Sequence, residues 1–325
     1  MANQDGLDFA YWIDGEGKGR PIGWDELSKT DKGEGWLWIH LDRSASHSRR
    51  WLAEESGVDP LMVSEALLNE ETRPRFTANE NGLLLILRGV NLNPGADPED
   101  MVSLRLWVED GRVISVRQRK LLAVEDLRQA IEDGNGPNTP GDCVTSLAEG
   151  LVARMSGVIS ELDERLDDLE EEVSSAQHGE ARGELNALRR KGIILRRYIA
   201  PQRDALSQLT RENRSTFKNR HVTRLREVSD DITRYVENLD AARERAIVVQ
   251  DELMNRLSEQ LNKNMYVLSV IAGLFLPLGF ITGLLGVNVD GIPGDKTPWA
   301  FAALCAFVAA IAVFEVWLFR RFKWI

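Results

Sequence analysis

Cysteine and histidine are scarce in this sequence. Its two cysteines, Cys143 and Cys305, stand far apart, and the second lies inside an apolar run, so a disulfide framework is excluded and both read most simply as packing residues. The four histidines, His40, His47, His178 and His221, have no metal-ligand spacing and no Cys-x-x-Cys accompanies them, which argues against a tight site of nitrogen and sulfur ligands. There is no nucleophile paired with a base, no phosphate loop and no His-Glu-x-x-His motif; no enzyme and no cofactor are expected. MANQDGLDFAYWID has no basic stretch followed by an apolar one, so no secretory leader is expected. A net charge of −11 argues against a nucleic-acid partner, whose phosphates call for a basic surface.

Charge itself is missing from two stretches. Residues 264–289 and 297–314 contain none, although 28% of the chain is charged. Tyr266 to Asn288 would make a helix about 34 Å long and Pro298 to Phe319 one about 33 Å, each enough to cross a hydrocarbon layer of roughly 30 Å. From Lys263 onward there are five basic and three acidic residues, so the rest of the chain is the acidic part. Lys263 precedes the first span and Arg320, Arg321 and Lys323 follow the second, which places both termini in the cytoplasm and the short loop outside.

Glycine and proline are absent from the 71 residues between Pro201 and Gly273, as suits long helices. Leu225, Val228, Ile232, Tyr235, Leu239, Ala242, Ala246, Val249 and Leu253 recur three and four apart, and Ile159, Leu162, Leu166, Leu169 and Val173 form an earlier seam. The earlier helix is acidic (Glu161 to Glu172), whereas Arg182 to Arg226 carries thirteen basic residues, which favours antiparallel association. The acidic run reads as a solvated face or as an attractor of divalent cations.

Before Asp133 the pattern is mixed. Gly35 to Asp42, Gly82 to Asn91, Met101 to Asp110 and Arg112 to Gln118 read as strands, with Asp110-Gly111 as a hairpin turn. SRRWLAEESG and DPLMVSEALLNE read as helices, the latter capped by Asp59 with Pro60 in its first turn. The glycine-rich stretch Asp133 to Asp142 is taken as a boundary. The expected organisation is therefore an α+β membrane protein: an α/β cytoplasmic domain (1–140), a long helical coiled-coil stalk (141–262), a first transmembrane helix (263–289), an outer, periplasmic loop (290–297), a second transmembrane helix (298–319) and a basic cytoplasmic tail (320–325).

Two helices enclose no aqueous path, so conduction requires several copies around an axis. Following the heptad register into the first span gives Asn262, Met265, Ser269, Ala272, Leu276, Gly279, Gly283 and Gly286, a narrow or polar seam suited to line that axis; close helix packing is the other reading of its glycines. Pro277 is tolerated within a span. Glu315 either reaches the interface or an arginine, or handles protons or ions. Asn288, between Gly286 and the turn residues Gly291 and Pro293, either contributes an amide oxygen to a ring that holds a hydrated divalent cation or caps the helix.

FLPLGFITGLLGVNVDGIPG, placed between two C-terminal spans, resembles the Gly-x-Asn motif of the CorA superfamily of divalent-cation transporters, with Val287 where the best-known form has methionine. With LRGVNLNPGADPEDMVSLRLW (Leu87 to Trp107) and ETRPR (Glu71 to Arg75), it looks like the zinc-transporting ZntB branch. The resemblance spans the whole chain. It implies a funnel-shaped homopentamer in the bacterial inner membrane, surrounded by lipid, with zinc as the transported ion rather than a cofactor. Gly286, Val287 and Asn288 would form the selectivity entrance, and proton coupling is left open. Asp290, where such chains often have glycine, would add negative charge at the pore mouth. Asp251 and Glu252 fall where related magnesium transporters sense cytoplasmic metal; solvated charge is the other reading. Magnesium, cobalt or nickel transport by the same architecture, and a non-conducting membrane-anchored coiled-coil scaffold, are the alternatives.

Overall fold

A computed structural model of the chain describes residues 5–27, 35–70, 73–174, 181–212, 214–286 and 298–322. It divides into two compact units, residues 1–250 and 251–325.

The first unit is built on a seven-stranded sheet of order β2-β1-β3-β7-β6-β5-β4, made of β1 (Leu7–Ile13), β2 (Gly19–Pro21), β3 (Trp36–Asp42), β4 (Arg75–Asn79), β5 (Gly82–Gly89), β6 (Val102–Glu109) and β7 (Arg112–Arg117). Neighbours are antiparallel except β3 and β7, which run parallel. The Asp110-Gly111 turn closes the β6–β7 hairpin, where Glu109 pairs with Arg112. The short helices are α1 (Trp24–Leu27), α2 (Ser46–Glu54), α3 (Pro60–Met62) and α4 (Leu122–Glu132), and a π-helical turn, Val63–Leu67, continues α3. Asp59 caps α3 as expected, accepting the Leu61 amide at 2.8 Å.

β5 is apolar at nearly every position because both of its faces are covered. Leu84 and Ile86 join Trp51, Leu52, Val63, Leu67 and Trp107 in a core against α2 and the π-helical turn. Its other face meets the long helices: a Cβ on Gly89 would lie 2.7 Å from Leu151 of α5 (Pro140–Ser174), which is why that position has none. Each fully buried leucine there is worth about 1.5–3 kcal/mol. In mid-sheet, the buried Arg105 guanidinium donates to the carbonyls of Leu67 (3.1 Å) and Asn69 (2.9 Å), and Arg43 also donates to Asn69 (2.7 Å). The end of the π-helical turn is thereby satisfied from the strands.

Three long helices follow: α5, α6 (Ala181–Leu209) and α7 (Asn219–Leu285). The division between compact units falls within α7, and not at the glycine-rich stretch 133–142, because the helices from Pro140 onward pack on the sheet. Nor is the span free of glycine and proline one helix, since α6 stops at Leu209 and α7 starts at Asn219. Between them Ser215 and Thr216 hydroxyls donate to Asp110 at 3.1 and 2.5 Å, drawing the connection onto the β6–β7 turn. Both seams are buried as expected, with one exception: Val236 is buried in place of Tyr235. The acidic run of α5 is engaged rather than merely solvated, since Arg245 of α7 meets Asp163 at 3.0 Å, Glu170 at 3.2 Å and Asp167.

The second unit holds the rest of α7 and α8 (Ala300–Arg321), and both helices are long and apolar enough to cross a membrane. Helix α7 continues through Pro277.

Candidate metal-ion path

Each helix of the second unit has two unlike faces. On α7, the partly covered residues of the span are Val270, Ala272, Gly273, Leu274, Leu278 and Ile281. Gly273 marks close approach to α8, since an added Cβ would lie 3.0 Å from the Phe319 ring. The matching stripe of α8 is Leu304, Val308, Ile311, Glu315 and Leu318, all half-buried.

Seven of the eight residues of the sequence-derived seam, Asn262, Met265, Ser269, Leu276, Gly279, Gly283 and Gly286, are exposed in the single chain; Ala272 alone is half-buried. At Gly279 and Gly283 nothing lies within 4 Å of an added Cβ. In the single chain these positions lie on the side of α7 away from α8. The polar groups on it are modest: the Ser269 hydroxyl donates to the Met265 carbonyl at 2.8 Å, so its oxygen lone pairs stay available. Val287, Asn288 and Asp290 lie outside the described residues.

Glu315 is the feature whose setting sequence reasoning missed. It stands on the α7-facing stripe of α8, and its Oε2 is buried with no hydrogen-bond partner among the described residues. An acidic residue three to four positions from Ile311, Ala312 and Leu318 was the available signal.

No cluster of three or more His, Cys, Asp or Glu side chains able to hold a metal occurs among the described residues. At the start of the second unit, Glu252 accepts from Arg256 Nε at 2.5 Å and Asp251 is exposed. The three described histidines sit in packing or hydrogen-bonding roles. His40 is buried, meets the Ser115 hydroxyl at 2.7 Å and stacks on Phe9. Burial, reinforced by Arg117 and Arg128, lowers its pKa to about 3. His221 meets Asp142 at 2.9 Å, His47 stacks on Trp24, and His178 lies outside the described residues.

The described residues thus form a sheet-centred α/β unit, long helices and a C-terminal pair of helices long and apolar enough to cross a membrane. The chain belongs to the family of the CorA-like Mg2+ transporter protein, which matches residues 33–321. The resemblance carried by the GVN stretch is borne out. The chain is 41% identical to the divalent cation transporter CmaX of Pseudomonas aeruginosa, over 99% of its own length and 98% of that protein. It is 37% identical to the zinc transport protein ZntB of Pectobacterium atrosepticum, over 98% of its length and 96% of the relative. A solved structure of the full-length CmaX protein superposes with a TM-score of 0.86 at 41% identity, covering both chains completely. Family membership makes divalent-cation transport the function class.

Proposed function

We propose that the chain is a zinc transporter of the bacterial inner membrane that works as a homopentamer. The first spans surround a common axis with Asn262, Met265, Ser269, Ala272, Leu276, Gly279 and Gly283 toward it, and Gly286, Val287 and Asn288 form the outer entrance. Five amide oxygens at Asn288 hold the water shell of the cation without dehydrating it, and Asp290 adds negative charge at the mouth. Weak, oxygen-only contacts suit an ion that must leave quickly. The large first unit and both chain termini lie in the cytoplasm, in keeping with the basic residues that flank the pair of spans. Domain limits follow the expected order, with 141–262 as stalk and 290–297 as the outer loop.

The single observation that carries this reading is the bare, small-residue face of α7 opposite the face that meets α8. Identical copies can pack there, and lipid then meets α8. The choice of zinc is supported by the relative named as a zinc transport protein, while the family description names magnesium and the CmaX relative a divalent cation. Magnesium transport is therefore the second reading.

Flux of zinc and of magnesium into proteoliposomes under matched gradients tests the choice. Zinc flux above empty vesicles and exceeding that of magnesium is expected; flux of magnesium alone contradicts it. Asn288→Ala should lower zinc flux at least about tenfold, as loss of a hydrogen bond to the ion's water shell from every copy implies, while particle mass stays that of the wild type. Unchanged flux in that variant contradicts the assigned entrance.

A further inference from the structure

The first unit contains a cleft of about 510 Å3, bounded on one side by α6 and on the other by the ends of β5, β6 and β7. Its volume falls within the roughly 300–1,000 Å3 of small-molecule sites. On α6 the lining residues Arg190, Ile194, Arg197 and Tyr198 share one face through their four-, three- and one-residue spacing. From the end of β5, Arg88 places its guanidinium carbon 4.0 Å from the Tyr198 ring centre and donates to the Met101 carbonyl at 2.7 Å. Arg197 lies 4.8 Å from the same ring and donates to its hydroxyl at 2.5 Å. A tyrosine thus fixes two guanidinium groups at the cleft before any ligand arrives.

On the long helices the guanidinium groups of Arg165, Arg196, Arg224 and Arg245 all hold carboxylates. Among the described residues Arg190 and Arg197 have no carboxylate within ion-pair distance, and both are exposed to the cleft. Three carboxylates also line the cleft: Glu99 lies 3.7 Å from Lys191, Asp100 lies 3.9 Å from Arg119, and Glu70 is exposed. In a chain of net charge −11, Arg190 and Arg197 are two positive charges on one helix face that no carboxylate holds.

We propose that this cleft binds a multivalent phosphoryl anion, either free or as the phosphate chain of a nucleotide. Planar guanidinium forks pair bidentately with phosphoryl oxygens. The volume exceeds what a halide needs. Glu99 and Asp100 give the opposite wall acceptors for ribose hydroxyl or base amino groups, which a nucleotide would use and free pyrophosphate would not. The site does not depend on which cation the protein transports.

Titration calorimetry on the full chain in detergent, with sodium pyrophosphate and with ATP in the absence of divalent metal, tests the proposal. Saturable binding with one site per chain is expected. Arg190→Ala and Arg197→Ala should each weaken it about tenfold or more. Arg234→Ala, whose partner Asp231 lies on α7 outside the cleft, should leave it unchanged. Tighter binding of ATP than of pyrophosphate assigns a nucleotide, and equal binding assigns the phosphoryl group alone. Absence of saturable binding of either probe to the wild-type chain overturns the proposal, as does equal weakening by Arg234→Ala. Because the wild-type arm is decisive by itself, a variant that failed to fold would not protect the idea.

Discussion

Substituting the glycines of α7 separates contacts inside one chain from contacts between chains. Gly279 and Gly283 have open space around an added Cβ, so within a single chain alanine meets no obstacle and helix propensity favours it by roughly 1 kcal/mol per site. Gly273 is different, because its Cβ would press on the Phe319 ring at 3.0 Å and cost on the order of 1 kcal/mol through displacement of that ring. Leucine at 283 adds four heavy atoms to a face that α8 does not cover. If five such faces surround an axis, five isobutyl groups enter it at one level and obstruct a hydrated cation. Gly283→Leu should therefore abolish divalent-cation flux in proteoliposomes, or dissociate the assembly, without lowering the stability of the hairpin. Gly273→Ala should lower the thermal midpoint followed by tryptophan fluorescence and leave flux per surviving assembly intact. A Gly283→Leu protein that assembles and transports as the wild type does would refute the assignment of this face.

Two further outcomes concern the first unit. His40 is neutral in the fold, with Asp8 3.8 Å away and Arg117 and Arg128 near, and its pKa of about 3 lies below the unfolded value of 6.5. Its contribution is complete above that unfolded value and is lost as pH falls toward 3, amounting to about 2 kcal/mol by pH 5. His40→Gln should flatten the difference between thermal midpoints at pH 7.5 and pH 5; an unchanged difference would show that other groups carry it. Arg105→Met should cost about 1–3 kcal/mol in urea unfolding, because the Leu67 carbonyl loses its donor in the core while Asn69 keeps Arg43. A neutral result would mean that water replaces the guanidinium.

Much of the architecture was legible locally. β3, β5, β6 and β7 follow from apolar runs bounded by turns, and the Asp110-Gly111 hairpin and the Asp59 cap follow from residue chemistry at single positions. β1, β2 and β4 escaped: β1 (LDFAYWI) lies in a stretch read only for a leader, β2 has three residues, and β4 is a half-buried edge strand, RFTAN, with little periodic signal. The break between α6 and α7 escaped as well: no glycine or proline marks it, and it is held by contacts far apart in sequence, Asp110 with Thr216 and Asp142 with His221. In the spans, spacing by three and four marks a seam whose members are mostly exposed in the single chain. It could not show that Glu315 faces α7, since an apolar helix has no polar side in sequence from which to tell its neighbour from lipid.

The central claim is that cations cross where several copies of this chain meet, and the number of chains per particle tests it most directly. Light scattering of the full chain in mild detergent should give five copies, stable on dilution. A stable monomer would contradict the account, because one pair of apolar helices encloses no path for an ion.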